Sequence, residues 1–318
     1  MKIIYMGTSS FAVPPLKALV EKGVEIAFVV TQPDRIRGRG KAIIPTPVKQ
    51  YADSVGLRVE QPETIRDNLD FIQALRDTAP DLIIVASYGK ILPREILEIP
   101  EFGCINIHAS LLPKYRGAAP IQWVIADGEK ETGVCLLRMG EGLDSGDVGA
   151  CSSIEIGDMN AGELEEKLSE MGARLLLENL GDLECGSMMW VPQEDTLATY
   201  ARMLTKEDAH IDLCRPAKDV LNKINAMNPV PGSYVCQEDS RIKIKRAEIK
   251  ELSAEACLDD NYAKAEEGTI LDVTKDGIEV KLSDGILLIK EIGMPGKKPM
   301  SVGDYIKGNK IDTTIPLS

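Results

Sequence analysis

Short apolar runs alternate with helical patterns over the first half of the chain. Lys2–Met6, Glu25–Val30, Asp81–Ala86 and Gly103–His108 are apolar stretches bounded by turn residues, as buried strands are. Between and after them, Phe11–Lys22, Thr46–Val55, Asp67–Thr78 and Ala118–Ala126 carry helical spacing, with Leu16, Leu19 and Val20 on one face. The alternation predicts an α/β domain with a mostly parallel, Rossmann-like sheet and right-handed crossovers. Farther on, Thr132–Met139 and Val148–Ile156 read as strands. Ala161–Leu183 reads as one long helix, with Leu164, Leu168, Met171, Leu175 and Leu176 along its stripe.

Periodicity is lost over residues 186–205, where a linker is expected. Pro216–Met227 is helical and ends before Asn228-Pro229-Val230-Pro231-Gly232. The pattern then changes to short strands: Ser233–Gln237, Arg241–Ile249, Gly268–Val273, Gly277–Leu282 and Ile286–Ile292. Lys275-Asp276-Gly277 and Ser283-Asp284-Gly285 supply hairpin turns, because glycine tolerates positive φ. Five such strands predict a small OB-like β-barrel. The expected division is a catalytic domain over residues 1–187, a linker over 188–206 and a barrel domain over 207–318.

Composition adds mainly exclusions. With 318 residues, 44% hydrophobic and 27% charged, the chain is an ordinary globular sequence long enough for two domains. Its apolar runs are too short to span a bilayer, which needs roughly 20 residues. The first run meets Gly7 too early for a secretory signal, so a cytoplasmic protein is expected. Seven scattered cysteines, an odd number with no CxxC, predict buried free thiols rather than disulfides or a zinc site. Two histidines without a cysteine cluster argue against a catalytic metal. The net charge of −13 argues against non-specific nucleic-acid binding. It is unevenly spread: residues 1–204 net −10, whereas 205–318 net only −3, with bases bunched at Arg241–Arg246 and Lys297-Lys298. A local basic face is therefore compatible with the C-terminal part.

The strongest candidate chemistry lies in Cys104–Gln122. Asn106 and His108 stand two apart at the end of an apolar run, so an extended strand puts both on one face. The C-terminal ends of parallel strands are where open α/β sheets bind ligands. A Gly-rich acidic loop, Gly140–Asp147, follows the next strand and can return Asp144 to this point, although spacing alone reads Asp144 as a turn aspartate. Asparagine to meet an oxyanion, histidine to relay a proton and aspartate to orient the imidazole would suit acyl-type transfer without a covalent enzyme intermediate. Ser110, Leu111, Leu112 and Pro113 offer apolar contact for a flat ring, or form a rigid exit loop. Arg116–Pro120 opens a helix with small residues that suit either packing or close backbone approach. Asp34–Lys41 is a basic, Gly-punctuated loop in an acidic domain; it reads equally as a solvated surface loop or as a lid for phosphates. Met6–Phe11 is not a GxGxxG or P-loop and reads as a tight turn with a helix cap.

On these residues the chain resembles the methionyl-tRNA formyltransferases, a branch of the folate-dependent formyltransferases. The matching segments are Gly7-Thr8, Thr31–Arg35 with Gly38–Lys41, Asn106–Gln122, Glu131–Val134, Gly142–Asp147, Thr199–Ala201, Ile211-Asp212, Asn228-Pro229 and Gly296–Lys298. The Asn/His/Asp set and Ser-Leu-Leu-Pro belong to folate formyltransferases in general. The Gly-Ala-Ala-Pro-Ile-Gln run, the basic loop and the C-terminal barrel point to the tRNA enzymes. The resemblance implies 10-formyltetrahydrofolate as co-substrate and initiator methionyl-tRNA as acceptor. It implies Asn106, His108 and Asp144 as catalytic residues, Ser110 to Pro113 along the folate, and Arg39 and Lys41 on the tRNA. It also implies a monomer in the cytoplasm, with no metal and no membrane. Relatives commonly have Gly at the position of Ala109, Trp at that of Tyr115 and a more basic C-terminal domain. Two other readings remain: a formyltransferase or hydrolase with another acceptor (a sugar nucleotide, a purine intermediate or water), and an RNA-binding barrel with a vestigial α/β domain.

Overall fold

Ile3, Ile4, Tyr5 and Met6 are four consecutive residues with no exposed surface. A strand buried on both faces is the mark of a parallel sheet covered by helices. The computed structural model describes residues 1–37, 42–238, 240–250, 262 and 264–318. Strands β1 (Lys2–Gly7), β2 (Glu25–Val30), β3 (Arg35–Arg37), β4 (Ala42–Ile44), β5 (Val59–Glu60), β6 (Leu82–Ala86), β7 (Cys104–His108), β8 (Arg116–Gly117), β9 (Glu131–Arg138), β10 (Val148–Glu155) and β11 (Tyr200–Ala201) come first. With them run helices α1 (Val13–Glu21), α2 (Pro47–Ser54), α3 (Leu69–Thr78), α4 (Arg94–Leu97), α5 (Pro120–Ala126), α6 (Ala161–Glu178) and α7 (Leu180–Glu184). The chain divides into two units. One comprises residues 1–120, 131–155 and 165–202; the other comprises 121–130, 156–164 and 203–318.

The first unit is built on a seven-stranded sheet of order β10-β9-β7-β6-β1-β2-β5. The pairs from β7 to β5 are parallel, and β9 and β10 join antiparallel at one side. A core of Ile4, Met6, Phe28, Val30, Ile83, Val85 and Cys104 packs with Phe71, Ile72, Leu75 and Ile96 from α3 and α4. Caps place the helices as their residues dictate. The Thr46 hydroxyl accepts from Lys49 N–H at the start of α2, and Asn68 accepts from Phe71 N–H at the start of α3. The stretch read as one long helix is two, α6 and α7, interrupted at Asn179, whose side-chain amide donates to the Leu175 carbonyl.

Cys135 and Cys151 form a disulfide, which corrects the expectation of free thiols for this pair. The two residues stand directly opposite in the β9–β10 register, an adjacency that a separation of 16 residues does not reveal. Cys104, Cys185, Cys214 and Cys236 are free thiols, but of these only Cys104 is buried as expected, and Cys185 and Cys214 are exposed.

The second unit holds α8 (Ala217–Ala226), β12 (Tyr234–Gln237), β13 (Ser240–Lys250), β14 (Ile270–Thr274), β15 (Gly277–Lys281), β16 (Ile286–Gly293), β17 (Met300–Ser301) and α9 (Val302–Tyr305). Its strands form one curled antiparallel sheet of order β12-β13-β16-β15-β14, with β17 on β16. Val220 and Ile224 of α8 enter its core with Val235, Ile244, Val280, Leu287 and Ile289. The start of α8 lacks a cap from its own neighbours, and the hairpin-turn Asp284 accepts from Ala217 N–H instead.

Asn228, almost wholly buried, donates from one amide toward the carbonyls of Ile224 and Ile244 and the Ser233 hydroxyl, all within 3.0 Å. It thereby ties the end of α8 to β13. Asn228→Ala is expected to lower stability by about 2 kcal/mol, because the Ile224 carbonyl then loses its side-chain donor and the Ile244 carbonyl keeps only that of Ser233. Urea unfolding monitored on the C-terminal unit checks this, and an unchanged midpoint would contradict it.

Candidate active site

β7 is central in its sheet, between β6 and β9, and carries the two residues that the period of two puts together. Asn106 lies opposite Val85 and Leu137, and His108 opposite Cys135. Beyond Arg138 the chain enters the Gly-rich loop, which returns Asp144 to both side chains. Asn106 Nδ2 donates to Asp144 Oδ1 at 3.3 Å, and His108 Nδ1 lies 3.6 Å from Asp144 Oδ2. The imidazole is nearly buried and the carboxylate only slightly exposed, so these polar groups meet where water screens them little.

Two backbone groups complete the arrangement. Gly117 N–H donates to Asp144 Oδ2 at 2.9 Å, and the Tyr115 carbonyl lies 3.0 Å from His108 Nε2. A carbonyl only accepts, so Nε2 carries the hydrogen and Nδ1 is the nitrogen turned toward Asp144. Asn106 has two amide hydrogens. One goes to Asp144, and the other has no acceptor among the described residues. Asp144 and Tyr115 both adopt left-handed backbone, with φ of 47° and 58°. Residues with a Cβ rarely do so, and such conformations concentrate at functional sites.

The loop after β7 is held from within. Ser110 is fully buried, and its hydroxyl donates to the Lys114 carbonyl at 2.7 Å. Its hydrogen bond is thus spent on loop shape. Leu111, Leu112 and Pro113 remain partly exposed, and the Leu112–Pro113 peptide is cis. Gly133 leaves room for Leu111, since a Cβ there would run into that side chain and into the Ser152 carbonyl. After the neighbouring strand β6, Ile91 is exposed to 68% and adds apolar surface.

The nearby thiol offers no nucleophile: burial pushes Cys104 up to about 12. No cluster of metal-binding side chains occurs among the described residues. No helix among them is long and apolar enough to cross a membrane.

Arg39 and Lys41 lie outside the described residues. Part of the basic loop is nevertheless a hairpin, β3 with β4, where Arg35 pairs Ile44 and Arg37 pairs Ala42. Asp34 anchors its base, accepting from Gln61 at 2.7 Å and Lys49 at 3.0 Å. The Gln61 hydrogen bond, followed by Lys49, holds the Asp34 carboxyl below the usual carboxylate range.

The Tyr115 carbonyl and the Gly117 N–H had no sequence signal beyond Arg116–Pro120 being small and Gly-containing. A backbone group is identified only by where the chain passes. The strap that holds this loop was likewise hidden: β8 pairs β11, and Tyr115 N–H donates to the Thr199 hydroxyl at 2.8 Å.

Comparison with known proteins bears on the family and the fold. The family model "Formyl transferase" matches residues 1–180, and "Formyl transferase, C-terminal domain" matches 203–310. The methionyl-tRNA formyltransferase of Clostridium novyi (strain NT) is 44% identical over 98% of both chains. That of Clostridioides difficile (strain 630) is 44% identical over the whole of both. Among solved structures, an N-formyltransferase from Helicobacter canadensis, bound to folinic acid and dTDP-3-aminofucose, superposes with a TM-score of 0.68 at 16% identity. That match covers 92% of this chain and 99% of the other. HypX from Aquifex aeolicus with tetrahydrofolic acid gives 0.66 at 19%, covering 99% of this chain, which spans 50% of HypX. These two share the fold. The full-length identity to the first two, over both units, is closer kinship: the chain belongs to the methionyl-tRNA formyltransferase family.

Proposed function

We propose that this chain transfers the formyl group of 10-formyltetrahydrofolate to the α-amino group of methionine esterified to initiator tRNA. The observation that carries the reading is the meeting of Asn106, His108 and Asp144, in a chain whose full-length relatives are methionyl-tRNA formyltransferases.

The amine nitrogen bonds to the formyl carbon, and the bond from that carbon to the folate nitrogen breaks. One proton leaves the amine and one arrives on the folate nitrogen. The second Nδ2 hydrogen of Asn106 meets the oxyanion that forms on attack, a contribution of about 3 kcal/mol when such a donor is fixed beforehand. His108 acts at Nδ1, because Nε2 is engaged by the Tyr115 carbonyl. Nδ1, once it has taken up the amine proton by way of Asp144, supports the oxyanion and passes that proton to the leaving nitrogen. Asp144 accepts the amine proton, directly or through water, and orients the imidazole. General acid–base steps of this kind are worth roughly 10²–10⁴ in rate. No enzyme thiol or hydroxyl is acylated.

Leu111, Leu112 and Pro113, with the buried Ser110 shaping their loop, border the pterin. Arg39 and Lys41 contact the acceptor end of the tRNA. The C-terminal domain, over residues 207–318, takes phosphates along β13, where Arg241, Lys243 and Lys245 follow one another at alternate positions. Burial, and then the neighbouring Lys243, lowers the pKa of Lys245, as in a locally crowded positive stripe. The division is a catalytic domain over 1–187 and a connecting segment over 188–206, most of which packs as a strap on the first unit. The protein works as a monomer in the cytoplasm, without metal.

Single-turnover assays with 10-formyltetrahydrofolate decide between acceptors. N-Formylmethionyl-tRNA is expected, with no product from an amino-sugar nucleotide. Formylation of the sugar alone, or formate released at the same rate without acceptor, would overturn the reading.

A further inference from the structure

The left-handed backbone of Asp144 lies where one side chain holds the loop at Asp144 and again two residues beyond it. That side chain is Gln193, some fifty residues farther along the chain. Its Nε2 donates to the Asp144 carbonyl at 2.8 Å and to the Gly146 carbonyl at 2.7 Å, so both amide hydrogens are committed to the loop backbone. The orientation of the amide is set by its other end: Gln193 Oε1 accepts from Arg116 Nε at 3.0 Å. Turned over, the amide would face two carbonyls with its oxygen and a guanidinium with its NH2 group.

Arg116 is itself nearly buried, and its Nη2 donates to Asp195 Oδ1 at 2.8 Å. Burial works against its charge, but hydrogen bonds to Asp195 and Tyr200 prevail and raise its pKa. The segment carrying Gln193 is pinned at both ends. Val191 exchanges two backbone hydrogen bonds of 2.9 Å with Val148 at the start of β10, and Tyr200-Ala201 pair with Arg116-Gly117. Arg116 thus stands between Tyr115, whose carbonyl engages His108, and Gly117, whose N–H engages Asp144. Gln193 closes the circuit between the two loops.

We infer that Gln193 is a positioning residue for formyl transfer: by clamping the carbonyls of Asp144 and Gly146, in an orientation set by Arg116, it fixes where the Asp144 carboxylate stands relative to Asn106 and His108. Gln193 touches no reacting atom in this scheme. The inference rests on the assignment of Asp144 above. A misplacement of about 1 Å at a reacting group can cost on the order of 10²-fold in rate.

The test uses the full chain with Gln193→Leu, Gln193→Glu, Asp144→Asn and the double variant Gln193→Leu/Asp144→Asn. Glutamate keeps the shape of glutamine and can still pair with Arg116, so that variant preserves the packing if leucine does not. Both single changes at Gln193 are expected to lower kcat about 10²-fold, with KM for folate and for tRNA within about threefold and a cooperative thermal transition retained. The double variant is expected to be no slower than Asp144→Asn alone, because the clamp then has nothing to position. A merely structural role would leave kcat per folded molecule unchanged. Folded Gln193 variants within about threefold of wild-type kcat, or losses that multiply in the double variant, would overturn the inference while leaving the function of the site intact. Wild-type kcat in Asp144→Asn would instead remove the assignment of Asp144, and the inference with it.

Discussion

Asp144→Asn is expected to lower kcat for formyl transfer by about 10³-fold, with KM for charged initiator tRNA changed by less than about threefold and folding preserved. The magnitude lies within the roughly 10²–10⁴ typical of a positioned acid–base group. The geometry explains why so small a change should cost so much. Asp144 accepts on both oxygens, from Asn106 Nδ2 on Oδ1 and from Gly117 N–H on Oδ2. An asparagine has only one carboxamide oxygen, so whichever way it turns, an NH2 group faces another donor. The variant thus loses the charge that faces His108 Nδ1 and disturbs either the oxyanion donor or the loop. His108→Ala should cost a similar amount, and the two losses should not multiply, because both residues serve the same proton transfers. Steady-state kinetics with tRNA binding measured separately checks this. Unimpaired kcat in Asp144→Asn would mean that the carboxylate is a turn residue and nothing more.

That turn reading was the one favoured by spacing, and it shows what a sequence can carry. Asn106 and His108 were legible because strand periodicity is local: two residues apart means one face. Asp144 was legible only through its Gly-rich loop and the family resemblance. Its side chain meets its partners across 38 and 36 residues, and no local rule reports such a meeting. The mostly parallel sheet and the curled C-terminal sheet were legible because their apolar runs are short and evenly punctuated. The pairing of Cys135 with Cys151 was not, because it depends on β9–β10 register rather than composition. The basic loop was identified by charge, but its β3–β4 pairing was hidden by the glycines and arginines within it. Gln193 was lost altogether. It sits among Pro, Glu and Asp in a stretch without periodicity, and its importance lies in the carbonyls it reaches.

The strap over residues 190–202 makes a second large effect predictable, at Gly117. This residue has φ of 118°, a conformation that an L side chain rarely adopts, and a Cβ placed on it would lie 2.6 Å from the Ala201 carbonyl oxygen. Neither strain can be relieved by turning a side chain, since the neighbour is backbone. Gly117→Ala must therefore shift β8 away from β11, where Ala201 is its register partner, or rotate the Gly117 peptide. Either movement takes the N–H away from Asp144 Oδ2 and displaces the adjoining Tyr115 carbonyl from His108. One methyl group should thus perturb two catalytic side chains without touching them. The expected result is a kcat at least about 10²-fold lower, together with a stability loss of roughly 2–3 kcal/mol from the forced backbone. Ala118→Gly, one residue along at an exposed position, should leave kcat nearly unchanged and serves as the control. Kinetics and thermal melts on the two variants side by side decide the matter. A folded Gly117→Ala enzyme with wild-type kcat would show that the Asp144 carboxylate does not need its backbone donor.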